Sequence, residues 1–163
     1  MGIIMHAKQR AYLSLVVWIA IVLTVGGGLG SLTKSEINTW YTTLNQSALT
    51  PPNYVFPIAW TILYSMLGAS GWLIWQEVFV AKRNVIKTIY ISSLILNLSW
   101  TPLFFHYHLT GLALIALGAM DILALTIIYL TYQKMKTVSF FMTVYLAWIL
   151  FASYLNFYIW QYN

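Results

Sequence analysis

Asp121 is the acidic residue that lies inside a long apolar stretch, LGAMDILAL. A charged carboxylate in the hydrocarbon region of a membrane is costly by several kcal/mol, so such a residue usually marks a cavity, a partner or a proton pathway. The alternative is a protonated carboxyl group that forms a hydrogen bond with another helix. No Lys or Arg is expected at matching depth, so the sequence does not predict a buried ion pair.

Asn97 is a second polar side chain in an apolar stretch, LILNLSWTPLFF. At helical spacing it shares one face with Trp100 and Phe104. An amide inside a bilayer needs a hydrogen-bond partner, and either a neighbouring helix or a ligand can supply it. Pro102 permits a bend in this helix with an exposed carbonyl group.

Trp60 and Tyr64 lie one helical turn apart in the stretch TPPNYVFPIAWTILY. This spacing places both rings on one face of a helix, and we expect Trp60 to face the protein interior. Pro52 is expected in the first turn of that helix, where its missing N–H costs no hydrogen bond. Pro57 is expected to kink the helix.

Tyr145, Trp148 and Ala152 form a stripe along the last apolar stretch. The small Ala152 leaves room for a bulky neighbour, which is either a ligand or a closely packed helix. His106 and His108 are two residues apart and do not share a helix face, so no metal site is predicted there. No Ser-His-Asp set, P-loop or dinucleotide-binding glycine pattern occurs in a plausible context.

These residues belong to a chain with too few polar groups to cover a water-facing surface. Of its 163 residues, 61% are hydrophobic and 7% are charged, whereas a soluble domain has about 25% charged residues. The composition predicts an integral membrane protein in contact with a lipid bilayer. The basic residues lie between apolar runs, which argues against a nucleic-acid partner, and the lack of cysteine excludes disulfides.

Five apolar stretches are long enough to cross a bilayer as helices, which takes about 20 residues each. They lack the alternation of strands, so the sequence predicts an all-α bundle of five transmembrane helices in one domain, residues 1–163. The first stretch is about twice the length of a signal-peptide core and is expected to be retained. The predicted spans are 11–33, 55–77, 88–106, 110–132 and 138–160, with a long polar loop between the first two.

The basic residues are distributed unequally between the two sides of this five-span arrangement. Lys34 alone is on the side of the long loop. By the positive-inside rule, the N-terminus is expected in the cytoplasm and the C-terminus outside a bacterial cell membrane, with the outer membrane as the alternative location. The residues on the N-terminal side are Lys8, Arg10, Lys82, Arg83, Lys87, Lys134 and Lys136.

Together these clusters resemble the TspO/translocator family, the tryptophan-rich sensory proteins once called peripheral benzodiazepine receptors. The resemblance covers nearly the whole chain. It is carried by WY..L from Trp40, PP..VFP.AW..LY from Pro51, N..WTP.FF from Asn97, the acidic Asp121, and W...A.YLN from Trp148.

The resemblance implies a five-helix bundle, commonly a homodimer, in which the long loop covers a pocket. It implies a membrane receptor or sensor that binds porphyrins, haem-pathway tetrapyrroles and aromatic small molecules, and that influences tetrapyrrole levels. No cofactor is required, because porphyrin or haem would be the ligand. The predicted ligand-binding residues are Trp40, Tyr41, Trp60, Tyr64, Asn97, Trp100, Phe104, Asp121, Tyr145, Trp148 and Ala152.

Two other functions are compatible with the resemblance. Some bacterial relatives degrade protoporphyrin IX in light with the help of two tryptophans, and the matching positions are Trp60 and Trp148. An excited porphyrin can oxidise an indole, so these two residues would be catalytic in such an enzyme. A transporter of tetrapyrroles is the third function, but five spans cannot be divided into two equal repeats.

The sequence departs from the family pattern in two places. Family members usually carry a Trp shortly before the double proline, where this chain has Leu49, so the loop is expected to hold a ligand less firmly. The family's sterol-associated pattern ends in a basic residue, where this chain has Gln161. Cholesterol binding is therefore not expected.

Overall fold

The structure is a computed structural model that describes the backbone of residues 2–163 and the side chains of residues 8–163. Five long helices, connected by short segments except after the first, are apolar enough to cross a membrane. No strand occurs in residues 2–163, so the predicted all-α fold with five membrane-spanning helices is confirmed. The α-helices are α1 (Gly2–Leu32), α2 (Lys34–Asn38), α3 (Val55–Gln76), α4 (Arg83–Thr101), α5 (Thr110–Thr131) and α6 (Lys136–Tyr162).

The five long helices pack in a closed ring. α1 contacts α3, α3 contacts α6, α6 contacts α5, and α5 contacts α4, which reaches back to α3 and α1. Helices satisfy their own backbone hydrogen bonds, which is what the hydrocarbon region of a bilayer requires. The bundle interior is filled by fully buried side chains such as Ile86, Tyr90, Met120, Met142 and Ile149.

The helix bounds differ from the predicted spans mainly at two N-terminal ends. α1 begins at Gly2 instead of residue 11, and α4 begins at Arg83 instead of residue 88. In both cases the added segment carries basic residues next to the apolar run, Lys8 and Arg10 in α1 and Arg83 and Lys87 in α4. The apolar run defines the part of a helix that suits a bilayer, whereas backbone hydrogen bonds carry the helix beyond it.

The double proline precedes α3. Pro52 accepts a hydrogen bond at 2.9 Å from the backbone N–H of Val55, the first residue of the helix. Pro57, as the third helical residue, occupies the first turn, where an N–H has no partner within the helix. The prediction that placed Pro52 in the first turn was therefore wrong, and α3 continues to Gln76 past Pro57.

Pro102 ends the regular part of α4. A wider π-helical turn, Pro102–His106, follows, in which the N–H of Tyr107 donates to the Pro102 carbonyl at 3.0 Å. Pro102 has no N–H to donate to the preceding turn, which explains why the α-helical pattern stops here. Such π-helical turns are frequent at functional sites.

The connection between α1 and α3 is folded over one end of the bundle. It contains α2 and a short 3₁₀ turn, Tyr41–Thr43. We call residues 33–54 the cover loop. Four hydrogen bonds join it to α6 and to Asn163, the residue after α6. Ser47 Oγ lies 2.8 Å from the Tyr154 hydroxyl, and the N–H of Asn45 donates to Asn163 Oδ1 at 2.9 Å.

Candidate ligand-binding cavity

A cavity of about 600 Å³ lies beneath the cover loop. Its walls come from α1, α3, α4 with its π-helical turn, α6 and the cover loop itself, whereas no residue of α5 contributes. The volume is within the range of small-molecule sites in proteins. Eight aromatic residues line it: Tyr41, Tyr54, Phe56, Trp60, Tyr64, Trp100, Phe104 and Phe105.

The wall on α3 is a stacked pair of rings. The rings of Trp60 and Tyr64 lie 5.2 Å apart at an angle of 28°. Tyr64 is buried because it packs against Gly26 of α1, where an added Cβ would lie 2.3 Å from the Tyr64 ring. The absence of a side chain at Gly26 therefore leaves the space that the Tyr64 ring occupies.

The wall on α4 is a second stacked pair. The rings of Trp100 and Phe104 lie 5.2 Å apart at an angle of 21°. The indole N–H of Trp100 donates to Asn156 Oδ1 on α6 at 3.1 Å, and Asn156 Nδ2 donates to the Thr110 carbonyl at 2.8 Å. This chain of hydrogen bonds fixes the orientation of the Trp100 ring.

The cover loop contributes Tyr41, and Trp40 lies beside it. Burial raises the pKa of the Tyr41 phenol, so this side chain stays neutral. Trp40 does not line the cavity. Its ring stacks on His108 at 3.9 Å and meets Phe104 edge-on at 5.6 Å. Trp40 therefore supports the cavity wall from behind.

His108 connects the cover loop to the α4–α5 connection. Its Nε2 lies 3.3 Å from Glu36 Oε2 on α2, while its ring stacks on Trp40. His108 has a φ of 54°, in the left-handed region that residues other than glycine seldom occupy. The contacts with Glu36 and Trp40 hold the His108 side chain in place, although its backbone conformation is uncommon.

Three of the predicted polar and aromatic positions lie in the bundle interior and do not line the cavity. Asn97 Nδ2 donates to the Tyr145 hydroxyl at 3.1 Å, and both residues are buried. Ser153 Oγ donates to Asp121 Oδ2 at 3.1 Å. In the structure, Asn97 and Asp121 thus each have one hydrogen-bond partner on α6. The second oxygen acceptors, Asn97 Oδ1 and Asp121 Oδ1, are buried without a hydrogen-bond partner.

Trp148 lies in a separate, shallow groove between α3 and α6. The groove has a volume of about 410 Å³, and Leu63 and Ala147 also line it. Phe56, which lines the cavity, meets the Trp148 ring edge-on at 6.2 Å. The structure therefore does not bring Trp60 and Trp148 into one cavity.

Ala152 and Leu49 are the last two positions singled out from the sequence. Ala152 lines the cavity on α6. Leu49, which stands where the family has Trp, is 64% exposed and is not part of the cavity wall. The cavity thus includes six of the predicted residues: Tyr41, Trp60, Tyr64, Trp100, Phe104 and Ala152.

Comparison with known proteins identifies the family. The sequence model of the TspO/MBR family matches residues 18–161. This chain belongs to the TspO/MBR family. Since that match includes parts of all five long apolar helices, the chain is an integral membrane member of the TspO/MBR family.

Individual relatives of the TspO/MBR family cover most of the chain. The tryptophan-rich protein TspO of Archaeoglobus fulgidus is 38% identical over 152 residues, which are 93% of this chain and 97% of that protein. The protein of the same name from Chlorobaculum tepidum is 35% identical over 95% of this chain and 99% of that protein. The translocator protein of Bos taurus is 33% identical over 86% of this chain and 85% of its own length.

Sequence reasoning missed several residues that line the cavity of this TspO/MBR chain. Asn156 could have been found, because it is an amide in an apolar stretch and the argument applied to Asn97 fits it equally. Gly27 and Gly30 of α1 also line the cavity, and an added Cβ at either would meet no atom within 4 Å. A glycine run shows small residues but does not show whether another helix or open space lies beside them.

Proposed function

We propose that the protein is a membrane receptor or sensor that binds porphyrins and related flat aromatic molecules in the cavity beneath the cover loop. The observation that carries this proposal is the pair of ring stacks, Trp60 with Tyr64 and Trp100 with Phe104, in one cavity of about 600 Å³. A flat apolar ring system gains most from aromatic walls with few polar contacts. Membership of the TspO/MBR family supports the same class of function.

The separation of Trp60 from Trp148 supports binding over chemistry. Light-driven degradation through both indoles would need each of them near the ligand, and only Trp60 lines the cavity. The Trp148 indole is in the neighbouring groove, with Phe56 between the two spaces. We therefore favour a receptor in which light-dependent turnover of the ligand is not the main activity.

The proposed arrangement in the cell follows the distribution of charge. Seven of the eight basic residues lie at the end of the bundle opposite the cover loop, which supports a cytoplasmic N-terminus in a bacterial cell membrane. Family resemblance supports a homodimer.

The orientation in the membrane can be tested by labelling. Because the chain has no cysteine, a single Cys placed at Asn45 or at Lys134 can be labelled with an impermeant reagent. Labelling of the Asn45→Cys variant alone in intact cells is expected.

The test of the proposed function is a titration of the purified protein with protoporphyrin IX in the dark, followed by illumination. A saturable shift of the Soret band that is stable in light is the expected result. Decay of the band that is faster with wild-type protein than with both Trp60→Phe and Trp148→Phe would instead support an enzyme. Absence of any shift in the dark would contradict binding.

A further inference from the structure

Lys34 is the only charged residue among the described residues that line the cavity. It is the first residue of α2, and it is exposed, so it lies where the cavity meets solvent. Four exposed polar residues, Ser31, Asn38, Asn53 and Thr61, line the cavity as well. The cavity is thus aromatic in its walls and carries one positive charge at its opening.

No acidic partner neutralises Lys34 in residues 8–163. The acidic residue nearest in sequence, Glu36, directs its carboxylate to His108, at 3.3 Å between Oε2 and Nε2. Glu77 follows the last residue of α3, at the far end of the bundle. Asp121 accepts a hydrogen bond from Ser153 on α6. A positive charge without a partner at the opening of an apolar cavity attracts a negatively charged group on whatever enters.

We propose that Lys34 binds a carboxylate at the edge of the ligand, so that the cavity selects apolar ring systems that carry an acid group over their neutral esters. This inference rests on the proposed function and specifies the class of ligand. The apolar rings occupy the aromatic cavity, while the carboxylate stays at the exposed opening. A carboxylate at that position remains partly hydrated, so binding avoids the large cost of moving a bare charge into an apolar interior.

The proposed contact with Lys34 also specifies the direction in which the ligand lies. Lysine has a long, flexible apolar stem and three N–H donors, which suits a carboxylate whose position varies by an ångström or two. The acid edge points towards the cover loop, and the opposite edge of the ring system lies against Trp60 and Trp100 deeper in the bundle. Because the contact is exposed, salt weakens it.

The experiment compares protoporphyrin IX, which has two carboxylates, with its dimethyl ester in the dark. The protein is held in nanodiscs of neutral phosphatidylcholine, so that the lipid surface adds no charge, and the dissociation constant is measured by quenching of tryptophan fluorescence. The variants are Lys34→Gln, Lys34→Glu and Lys34→Arg. Lys134→Gln, which removes an equal charge in the connection between α5 and α6, is the matched control.

We expect Lys34→Gln to weaken binding of the diacid about threefold and Lys34→Glu roughly tenfold, which are the effects of an exposed ion pair and of its reversal. Lys34→Arg and Lys134→Gln are expected to bind like the wild type. The ester should bind all five proteins equally, and added salt should weaken only the diacid.

Two results would contradict the inference. If Lys34→Gln and Lys34→Glu leave the affinity for the diacid unchanged, or weaken diacid and ester by the same factor, Lys34 does not bind the carboxylate, while the proposed function stands. If the wild-type protein binds neither compound, the proposed function fails, and the inference about Lys34 fails with it.

Discussion

The middle of the bundle and the end beneath the cover loop use glycine for opposite purposes. At the middle of α3, a Cβ added to Gly68 would lie 2.6 Å from the Ile19 Cα atom of α1, so the two helix backbones are in direct contact. Near the cover loop, a Cβ added to Gly30 of α1 would meet nothing within 4 Å. Glycine closes the bundle at the first position and leaves the cavity open at the second. The structural role of a glycine therefore depends on whether a neighbouring helix lies against it.

The largest expected effect comes from Gly68→Ala. The added methyl group would overlap backbone atoms of α1, which cannot rotate away as a side chain can, so α1 and α3 must move apart. Overpacking of this kind costs about 1–3 kcal/mol, and the rigid neighbour favours the upper end. Unfolding in mixed micelles of increasing dodecyl sulfate content measures the change.

Gly118→Ala is the matched control for that measurement, because a Cβ at Gly118 would meet no atom within 4 Å. We expect it to leave the free energy of unfolding unchanged or slightly higher, since alanine favours helix over glycine. Equal unfolding curves for the two variants would show that the close approach of α1 and α3 at Gly68 does not contribute to stability.

The second prediction compares the cavity with the groove. Trp60→Ala removes a ring that lines the cavity, whereas Trp148→Ala removes a ring from the groove between α3 and α6. Loss of one aromatic contact with the ligand lowers the free energy of binding by about 1.4 kcal/mol, so Trp60→Ala should weaken porphyrin binding about tenfold. Trp148→Ala should change the dissociation constant by less than about twofold. The reverse order in a dark titration would place the ligand in the groove.

The third prediction concerns Asn97 and Tyr145, which hydrogen-bond each other in the bundle interior. Loss of this bond is expected to lower the free energy of unfolding by about 1 kcal/mol, typical of side-chain hydrogen bonds between membrane helices. A double-mutant cycle with Asn97→Ala and Tyr145→Phe isolates the coupling between them. Porphyrin affinity should stay unchanged. A large loss of affinity in Asn97→Ala, without loss of stability, would instead make this amide a ligand contact.

The smallest effect is expected at the cover loop. Tyr154→Phe removes the hydroxyl that lies 2.8 Å from Ser47 Oγ, while the ring itself is kept. One partly exposed hydrogen bond is worth about 0.5–1.5 kcal/mol, so the bundle should remain stable. We expect faster dissociation of bound porphyrin, because the cover loop is held less firmly. Tyr129→Phe, at an exposed position of α5, is the control, and equal dissociation rates would show that Ser47 and Tyr154 do not restrain the loop.

Much of the fold follows from the sequence, for a physical reason. A bilayer permits only helices or closed barrels, so five long apolar runs without alternation specify five helices. The order in which the five helices neighbour one another around the bundle does not follow from hydrophobicity, because lipid and neighbouring helices are equally apolar surroundings. It depends on close contacts such as the one between Gly68 and Ile19, which join residues far apart in the chain.

The site was predictable to a lesser degree. Helical spacing put Trp60 beside Tyr64 and Trp100 beside Phe104, and both pairs line the cavity. The same spacing could not show that Asn97 and Asp121 turn to neighbouring helices, since their partners Tyr145 and Ser153 lie on α6. Nor could it show that Trp40 stacks on His108, because that contact depends on the path of the cover loop.

One pair of variants tests most directly whether the cavity beneath the cover loop is the binding site. Gly30 and Gly28 lie on α1, and a Cβ at either would meet no atom within 4 Å, but only Gly30 lines the cavity. Gly30→Phe therefore fills the cavity, whereas Gly28→Phe adds an equal ring outside it. In a dark titration with protoporphyrin IX, we predict at least a roughly tenfold loss of affinity for Gly30→Phe and wild-type affinity for Gly28→Phe. Equal affinities for the two variants would contradict the account.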